Sequence, residues 1–214
     1  MPRYTTILFD LDGTLLDTLD DLWGSCNFAL RSCDMPERSR EEVCRFVGNG
    51  VGNLIRRAVP MGTDPEQCAR TLEAFKLYYA QHNADLTRPY DGIPEMLEEL
   101  RKLGCKLGIV SNKNDENVKK LSLEQFGIEA ALGEVPGVPR KPAPDGVRML
   151  MEALGADPRR TLYVGDSDVD IETARNAGLP CLSVTWGFRG EEELREKGAA
   201  HFAHTPQDVV EFVR

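Results

Sequence analysis

Four short apolar runs, separated by helix-like stretches, limit most strongly the folds open to this chain. The first run, from Thr5 to Leu11, is rich in β-branched and aromatic residues and ends in a turn, as in a strand buried on both faces. Each later run follows a stretch of helical periodicity that ends in Gly or Gly-x-Pro. The later runs are Lys106 to Val110, Thr161 to Val164 and Cys181 to Val184, and the helices before them are Glu95 to Leu103, Gly146 to Leu154 and Ile171 to Ala177. This alternation predicts an α/β fold: a Rossmann-like, doubly wound parallel sheet with helices on both faces.

A long segment between the first two strands, roughly Thr18 to Asp85, has helical periodicity and no convincing strand. Turn-forming residues divide it into four predicted helices. These helices cover residues 19–30, Glu41 to Val47, Val51 to Ala58 and Glu66 to Ala84. We therefore predict a core domain formed by residues 1–16 and 87–214, and a small helical cap domain, residues 17–86, inserted into it.

Charge, cysteine spacing and apolar content limit the classes of binding partner and the cellular compartments that suit this protein. A net charge of −9 argues against nucleic acid, whose phosphates require basic patches. No apolar stretch approaches the roughly 18 residues needed to cross a bilayer, so we expect no membrane partner. The six cysteines are irregularly spaced and are predicted to be free thiols, and no signal region precedes the first strand, so we expect a cytoplasmic protein. Either a monomer or a homodimer is compatible with the sequence.

Polar side chains follow the predicted strands at their carboxyl ends, where ligands collect in open α/β sheets. Carboxylates, a hydroxyl and an ammonium are thereby brought towards one point. Three segments follow strands: Asp10-Leu11-Asp12-Gly13-Thr14, Ser111-Asn112-Lys113 and Gly165-Asp166-Ser167-Asp168. Lys141, in Arg140-Lys141-Pro142, lies in the loop before the next predicted helix.

These residue types suit phosphoryl transfer. Carboxylates as close together as Asp10 and Asp12 repel each other unless a cation neutralises them, and Asp10 and Asp166 offer the hard oxygen ligands that Mg²⁺ takes. Gly13 allows a tight turn that exposes backbone N–H groups to phosphate. Ser111 can donate a hydrogen bond, and Lys141 adds a positive charge where the transferring phosphoryl group spreads its negative charge. The predicted cofactor is therefore Mg²⁺ and the predicted partner a small phosphate ester.

The four motifs, Asp-x-Asp-Gly-Thr, Ser-Asn, Lys-Pro and Gly-Asp-Ser-x-x-Asp, occur in this order and resemble the haloacid dehalogenase superfamily of phosphohydrolases. The resemblance implies that Asp10 attacks phosphorus and becomes an aspartyl phosphate, and that Asp12 protonates the leaving group and then activates water. Ser111 and Lys141 would hold the phosphoryl group. Further expected roles are substrate contacts for Gly13, Thr14 and Asn112, Mg²⁺ ligation by the Asp10 carboxylate, the Asp12 backbone carbonyl and Asp166, and organisation of the metal's waters by Asp170.

The position of the cap, between the first and second motifs, is similar to that in the subgroup containing phosphoglycolate phosphatases, phosphoglucomutases and pyrophosphatases. Three segments most resemble the phosphoglycolate phosphatase branch: Val47 to Val51, Arg56-Arg57-Ala58 and Ser183 to Phe188. In the cap we expect substrate contacts from Asn49 and Arg56. The resemblance implies hydrolysis of 2-phosphoglycolate or a comparably small ester, with a β-phosphoglucomutase or a pyrophosphatase as alternatives.

Other readings of the chain remain open at this point. A receiver-like signalling module also places carboxylates and a lysine at strand ends, but Asp12 argues against one, because storing phosphate does not require a group that activates water. A catalytically silent binding protein is a third possibility, although no motif residue is missing. His201, His204 and Asp208 could form a metal site, yet we expect solvated or helix-capping roles for them.

Overall fold

The computed structural model describes residues 2–214, and the chain divides into two compact units. One comprises the described residues up to Leu15 together with Pro89–Arg214, and the other is Leu16–Arg88. The strands are β1 (Thr6–Phe9), β2 (Leu16–Asp17), β3 (Arg88–Pro89), β4 (Lys106–Asn114), β5 (Ala131–Glu134), β6 (Thr161–Gly165), β7 (Cys181–Val184) and β8 (Phe202–Ala203). The helices are α1 (Leu19–Ser32), α2 (Arg40–Phe46), α3 (Val51–Ala58), α4 (Pro65–His82), α5 (Ile93–Lys102), α6 (Asp115–Phe126), α7 (Asp145–Leu154), α8 (Asp168–Ala177), α9 (Glu191–Glu196) and α10 (Pro206–Val213), with a 3-10 turn at Pro158–Arg160.

The sheet of the larger unit has six strands in the order β5-β4-β1-β6-β7-β8, and every neighbouring pair is parallel. The predicted doubly wound α/β fold is therefore confirmed. Strand β1 lies between β4 and β6, where the direction of winding reverses, and Phe9 is in register with both Ile109 and Val164. This topological switch point opens a crevice at the carboxyl ends of the strands.

The core is built on β1, whose four residues are all buried. Leu8 packs in a cluster with Val110 of β4 and Tyr163 of β6, and Val147 of α7 and Ala174 of α8 cover that face. Because side chains alternate along a strand, Ile7 and Phe9 point to the opposite face, and both are fully buried. Burial on both faces explains why this strand reads as a continuous apolar run.

The two edge strands, β5 and β8, were not apparent in the sequence. Strand β5 carries Gly133 and ends at the exposed Glu134, and β8 has two residues, so neither forms a strong apolar run. Strand β4 also continues past the predicted end at Val110 to Asn114, with a register shift against β5 between Val110 and Asn114. Ser111 to Lys113 therefore lie within a strand.

The smaller unit contains α1 to α4, and α1 packs against α4. Its helices begin within two residues of the predicted ones, and the starts have clear causes: Ser39 and Glu42 form a capping box at α2, and Asp64 caps α4. The buried carboxylate of Asp21 on α1 accepts hydrogen bonds from the backbone N–H groups of Leu86 and Thr87, which ties down the end of the unit. Among residues 2–214, no helix combines the length and the apolar character needed to span a membrane.

Candidate active site

Three buried carboxylates converge at the switch point of the sheet. Asp10 directly follows β1, Asp166 directly follows β6, and Asp170 lies in the first turn of α8. One oxygen from each lies within 4.8 Å of the others. The backbone N–H of Asp10 donates to the carbonyl of Val164 (2.9 Å), which extends the pairing of β1 and β6 to this point. The parallel register thus brings together two acids that are 156 positions apart in the chain.

Lys141 supplies the positive charge in this cluster. Its Nζ lies 2.9 Å from Asp10 Oδ1 and 2.8 Å from Asp170 Oδ1, and it donates to Tyr163 Oη at 3.1 Å. Burial lowers the pKa of Lys141, but Asp10 and Asp170 raise it more, so its pKa lies above the usual range and the side chain stays charged. The loop that carries Lys141 is fixed to β4, because Asn112 Nδ2 donates to the Lys141 carbonyl at 3.0 Å.

One lysine does not neutralise three buried carboxylates. Burial raises the pKa of Asp10 well above its usual value, and although Lys141 opposes this, Asp170 and Asp166 add to it. Burial, with the charge of Asp170, also raises the pKa of Asp166 to about 7. Raised values of this kind mark a site that lacks positive charge.

A divalent cation fits this site. The donors are oxygens only, and among the described residues no hydrogen-bond donor with good geometry satisfies the buried Oδ1 of Asp10, despite the nearby Lys141. Hard cations prefer such oxygen ligands. Asp170 has less capacity left for a metal, because its Oδ1 is bound to Lys141 and Tyr163 and its Oδ2 accepts from both the N–H and the hydroxyl of Ser167. It therefore anchors Lys141.

The loop after β7 encloses Asp166. Phe188 N–H donates to Asp166 Oδ2 at 2.7 Å, and Thr14 Oγ1 donates to Asp166 Oδ1 at 3.2 Å. A Cβ on Gly13, whose φ is +84°, would lie 2.3 Å from Asp166 Oδ2, and a Cβ on Gly187 would lie 2.4 Å from Asp166 Cβ. Both glycines are therefore required by close approach. In this structure Gly13 and Thr14 position Asp166, and their expected substrate contacts stay predictions.

Asp12, Ser111 and Asn112 lie around the same end of the sheet. Asp12 pairs with Lys113, whose Nζ is 3.0 Å from Asp12 Oδ1. Ser111, Asn112 and Lys141 line one small cleft. The catalytic roles of Asp12 and Ser111 stay predictions, but their chemistry is compatible with the cluster beside them.

The two cap residues lie in the smaller unit. Asn53 Nδ2 donates to the Asn49 carbonyl at 2.7 Å, and the exposed Arg56 guanidinium donates to Asn53 Oδ1. Substrate contacts by Asn49 and Arg56 stay predictions.

Four residues at the site were not singled out from the sequence. Tyr163, inside β6, looked like an ordinary core aromatic. Lys113 follows the Ser-Asn motif, but no sequence pattern assigns it a role. The sequence favours packing or loop structure for Trp186 and Phe188, yet Trp186 Nε1 donates to the Thr14 carbonyl at 3.0 Å. The signal in the sequence is the resemblance of Ser183 to Phe188 to the phosphoglycolate phosphatase branch.

The histidines near the C-terminus do not gather into a metal cluster within residues 2–214. Asp208 Oδ2 accepts from the N–H groups of His204 and Thr205, and Thr205 completes a capping box at the start of α10. The ring of His201 lies against Phe212. Asp208 therefore has the helix-capping role expected for this group.

Known proteins resemble this chain in sequence and in fold. Residues 7–184 match the sequence model of a family described as haloacid dehalogenase-like hydrolase. The phosphoglycolate phosphatase of Mannheimia succiniciproducens is 35% identical over 197 residues, covering 87% of this chain and 88% of that protein. That of Aquifex aeolicus is 34% identical over 186 residues, covering 85% of each.

A crystal structure of a Lactobacillus delbrueckii subsp. bulgaricus protein, provisionally assigned as a phosphoglycolate phosphatase, superposes with a TM-score of 0.94 at 34% identity. The alignment covers 99% of this chain and 98% of that one. Sequence motifs, fold and relatives agree, and the chain belongs to the haloacid dehalogenase-like hydrolase family.

Proposed function

We propose that this protein is a Mg²⁺-dependent phosphatase that hydrolyses a small phosphate monoester through an aspartyl phosphate on Asp10, with 2-phosphoglycolate as the leading substrate. The observation that carries the proposal is the buried Asp10 beside Lys141 (2.9 Å), within 4.8 Å of Asp166 and Asp170. The names of the relatives, phosphoglycolate phosphatase in each case, support the substrate.

In the first step, an oxygen of Asp10 attacks phosphorus while the bond from phosphorus to the leaving oxygen breaks. Asp12 gives its proton to that oxygen, so the alcohol leaves neutral. In the second step, Asp12 takes a proton from water, the water oxygen attacks phosphorus, and the bond to Asp10 breaks. The products are one alcohol and one inorganic phosphate, and Asp10 and Asp12 return to their starting states.

Lys141 and Ser111 act on the phosphoryl oxygens. The Lys141 ammonium is held by Asp170 and Tyr163, so it is already oriented when the negative charge spreads in the transition state. The Asp10 carboxylate, the Asp12 backbone carbonyl and Asp166 would hold Mg²⁺. When bound, the ion neutralises the charge shared by Asp10 and the substrate phosphate, which lets an anionic nucleophile approach an anionic ester.

The test is phosphate release by purified protein from a panel of esters, with Mg²⁺ and with EDTA. We expect kcat/KM to be highest for 2-phosphoglycolate, activity to vanish with EDTA, and Asp10→Asn to be inactive. No release from any ester in Mg²⁺ would overturn the proposal.

Product analysis separates the alternatives. Conversion of β-glucose 1-phosphate to glucose 6-phosphate would indicate a phosphoglucomutase, and preferred cleavage of pyrophosphate would indicate a pyrophosphatase. A phosphoaspartate that survives for hours in Mg²⁺ buffer would support a receiver-like module. Selection of the leaving group by residues 17–86 and a cytoplasmic location are parts of the same proposal.

A further inference from the structure

Lys113 is a buried lysine beside Asp12, and the proposed reaction gives it no role. Its side chain is 3% exposed, and its Nζ lies 3.0 Å from Asp12 Oδ1, while the Asp12 side chain is 15% exposed. A lysine is almost never this buried unless it is paired, because its ammonium loses its hydration. We propose that Lys113 is a positioning residue that holds the Asp12 carboxyl in the orientation from which it protonates the leaving group. This inference rests on the proposed function.

The backbone around Lys113 is built tightly. The register between β4 and β5 shifts between Val110 and Asn114, and such irregularities re-aim side chains near active sites. On β5, a Cβ at Gly133 would lie 2.6 Å from the Lys113 carbonyl oxygen and 2.5 Å from Asp115 Cα. The Gly133 N–H also donates to Asp115 Oδ1 at 2.9 Å. Only glycine at position 133 lets β5 approach closely enough to hold the end of β4 where it is.

The end of β4 serves several groups at once. The Lys113 N–H donates to Ser111 Oγ at 3.2 Å, and Asn112 holds the Lys141 carbonyl. The side chain of Lys113 contacts Asp12 through the ion pair described above. Three successive residues thus connect the predicted phosphate-binding hydroxyl, the Lys141 loop and the predicted acid.

Asp12 is a single bridge residue between β1 and the turn at residues 13–15, so its backbone is paired but its side chain can still rotate. A displacement of about 1 Å in a reacting group can cost about 100-fold in rate. The buried stem of Lys113 fixes the ammonium, and the ammonium fixes one oxygen of Asp12. The other oxygen is then available to the leaving group.

The experiment compares two substrates in wild type and Lys113→Met. The leaving group of ethyl phosphate is a strongly basic alkoxide, which needs the proton from Asp12. The leaving group of p-nitrophenyl phosphate is a stable phenolate, which departs without that proton. The readout is kcat/KM, which reports on the steps up to formation of the aspartyl phosphate. We expect a loss of about 100-fold with ethyl phosphate and less than about 3-fold with p-nitrophenyl phosphate.

Two further variants separate positioning from general damage. Lys113→Arg keeps a cation at this position. Its kcat/KM for ethyl phosphate should be at least about 10-fold higher than that of Lys113→Met. In an Asp12→Asn background, Lys113→Met should add no further loss, because the group it positions is gone. Lys120→Met, an exposed lysine on α6, is the matched control and should behave like wild type.

Equal losses on both substrates, no loss, or additive effects of Lys113→Met and Asp12→Asn would each overturn the inference. If Lys113→Met does not fold, Gly133→Ala tests the same point through the backbone, and it should show the same selective loss with ethyl phosphate. Failure of the proposed function is distinguishable, because wild type would then release phosphate from neither substrate.

Discussion

The ammonium of Lys141 lies 2.9 Å from Oδ1 of Asp10, and the two side chains are 4% and 12% exposed. Water cannot screen this pair well, so each partner strongly controls the charge of the other. The pair also makes the proposed nucleophile part of a network that includes Asp170 and Tyr163. Substitutions in this network are therefore expected to change both activity and stability.

Asp10→Asn should abolish turnover and stabilise the protein without metal. Burial and two neighbouring carboxylates disfavour the ionised form of Asp10, and asparagine is nearly the same shape without the charge. We expect the free energy of unfolding at pH 8 in EDTA to rise by about 1 kcal/mol or more, measured by urea denaturation. Asp91→Asn, at an exposed position, is the control and should change neither property. A less stable Asp10→Asn protein would contradict the argument.

Tyr163→Phe should impair catalysis more than stability. The Tyr163 hydroxyl accepts from Lys141 Nζ and lies 3.2 Å from Asp170 Oδ1, so its removal loosens the lysine while the ring stays packed. We expect the free energy of unfolding to fall by about 1 kcal/mol, and kcat with the best ester to fall by about 10-fold with little change in KM. Tyr4→Phe removes a hydroxyl from another buried tyrosine and serves as the control. An unchanged kcat would show that the carboxylates of Asp10 and Asp170 orient Lys141 without Tyr163.

Gly187→Ala should weaken metal binding. The added Cβ would lie 2.4 Å from both Asp166 Cβ and the Gly13 carbonyl oxygen, so Asp166 must move. Displacing a ligand's support typically costs about 10- to 100-fold in metal affinity, and we expect this loss in Mg²⁺ titrations followed by calorimetry. Gly190→Ala, where a Cβ meets nothing within 4 Å, should leave the affinity unchanged. Equal affinities in the two variants would argue against Asp166 as a ligand.

Without metal, stability should fall as the pH rises towards 7. The folded state raises the pKa of Asp166 to about 7 from an ordinary value of 3.8, so it binds the proton more tightly than the unfolded chain does. This contribution is complete below the ordinary pKa and is lost as the pH rises through about 7. A shift of this size is worth at most about 4 kcal/mol.

Urea midpoints in EDTA between pH 4 and pH 8 measure this loss. Because Mg²⁺ competes with the proton, it should stabilise the protein more at pH 8 than at pH 6. Asp166→Asn should flatten the pH dependence; the same slope in this variant would rule out Asp166 as its source.

The parallel α/β core could be predicted from local patterns, because strands buried on both faces need uninterrupted apolar runs and parallel strands need helical crossovers. The same patterns predict that Asp10 and Asp166 converge, because parallel strands end at the same edge of the sheet. The side chains that complete the site depend on contacts formed by folding. Lys113 and Tyr163 are ordinary residues in the sequence, and their roles come from burial beside Asp12 and Lys141.

The edge strands were also decided in three dimensions. Glycine has a low propensity for strands, yet β5 contains Gly133. A larger residue there would clash with the backbone of Lys113 and Asp115. Local propensity describes a residue and its neighbours in the chain, whereas a close approach depends on residues brought together by folding. This is why the positions of the acids could be read from the motifs, and the groups that orient them could not.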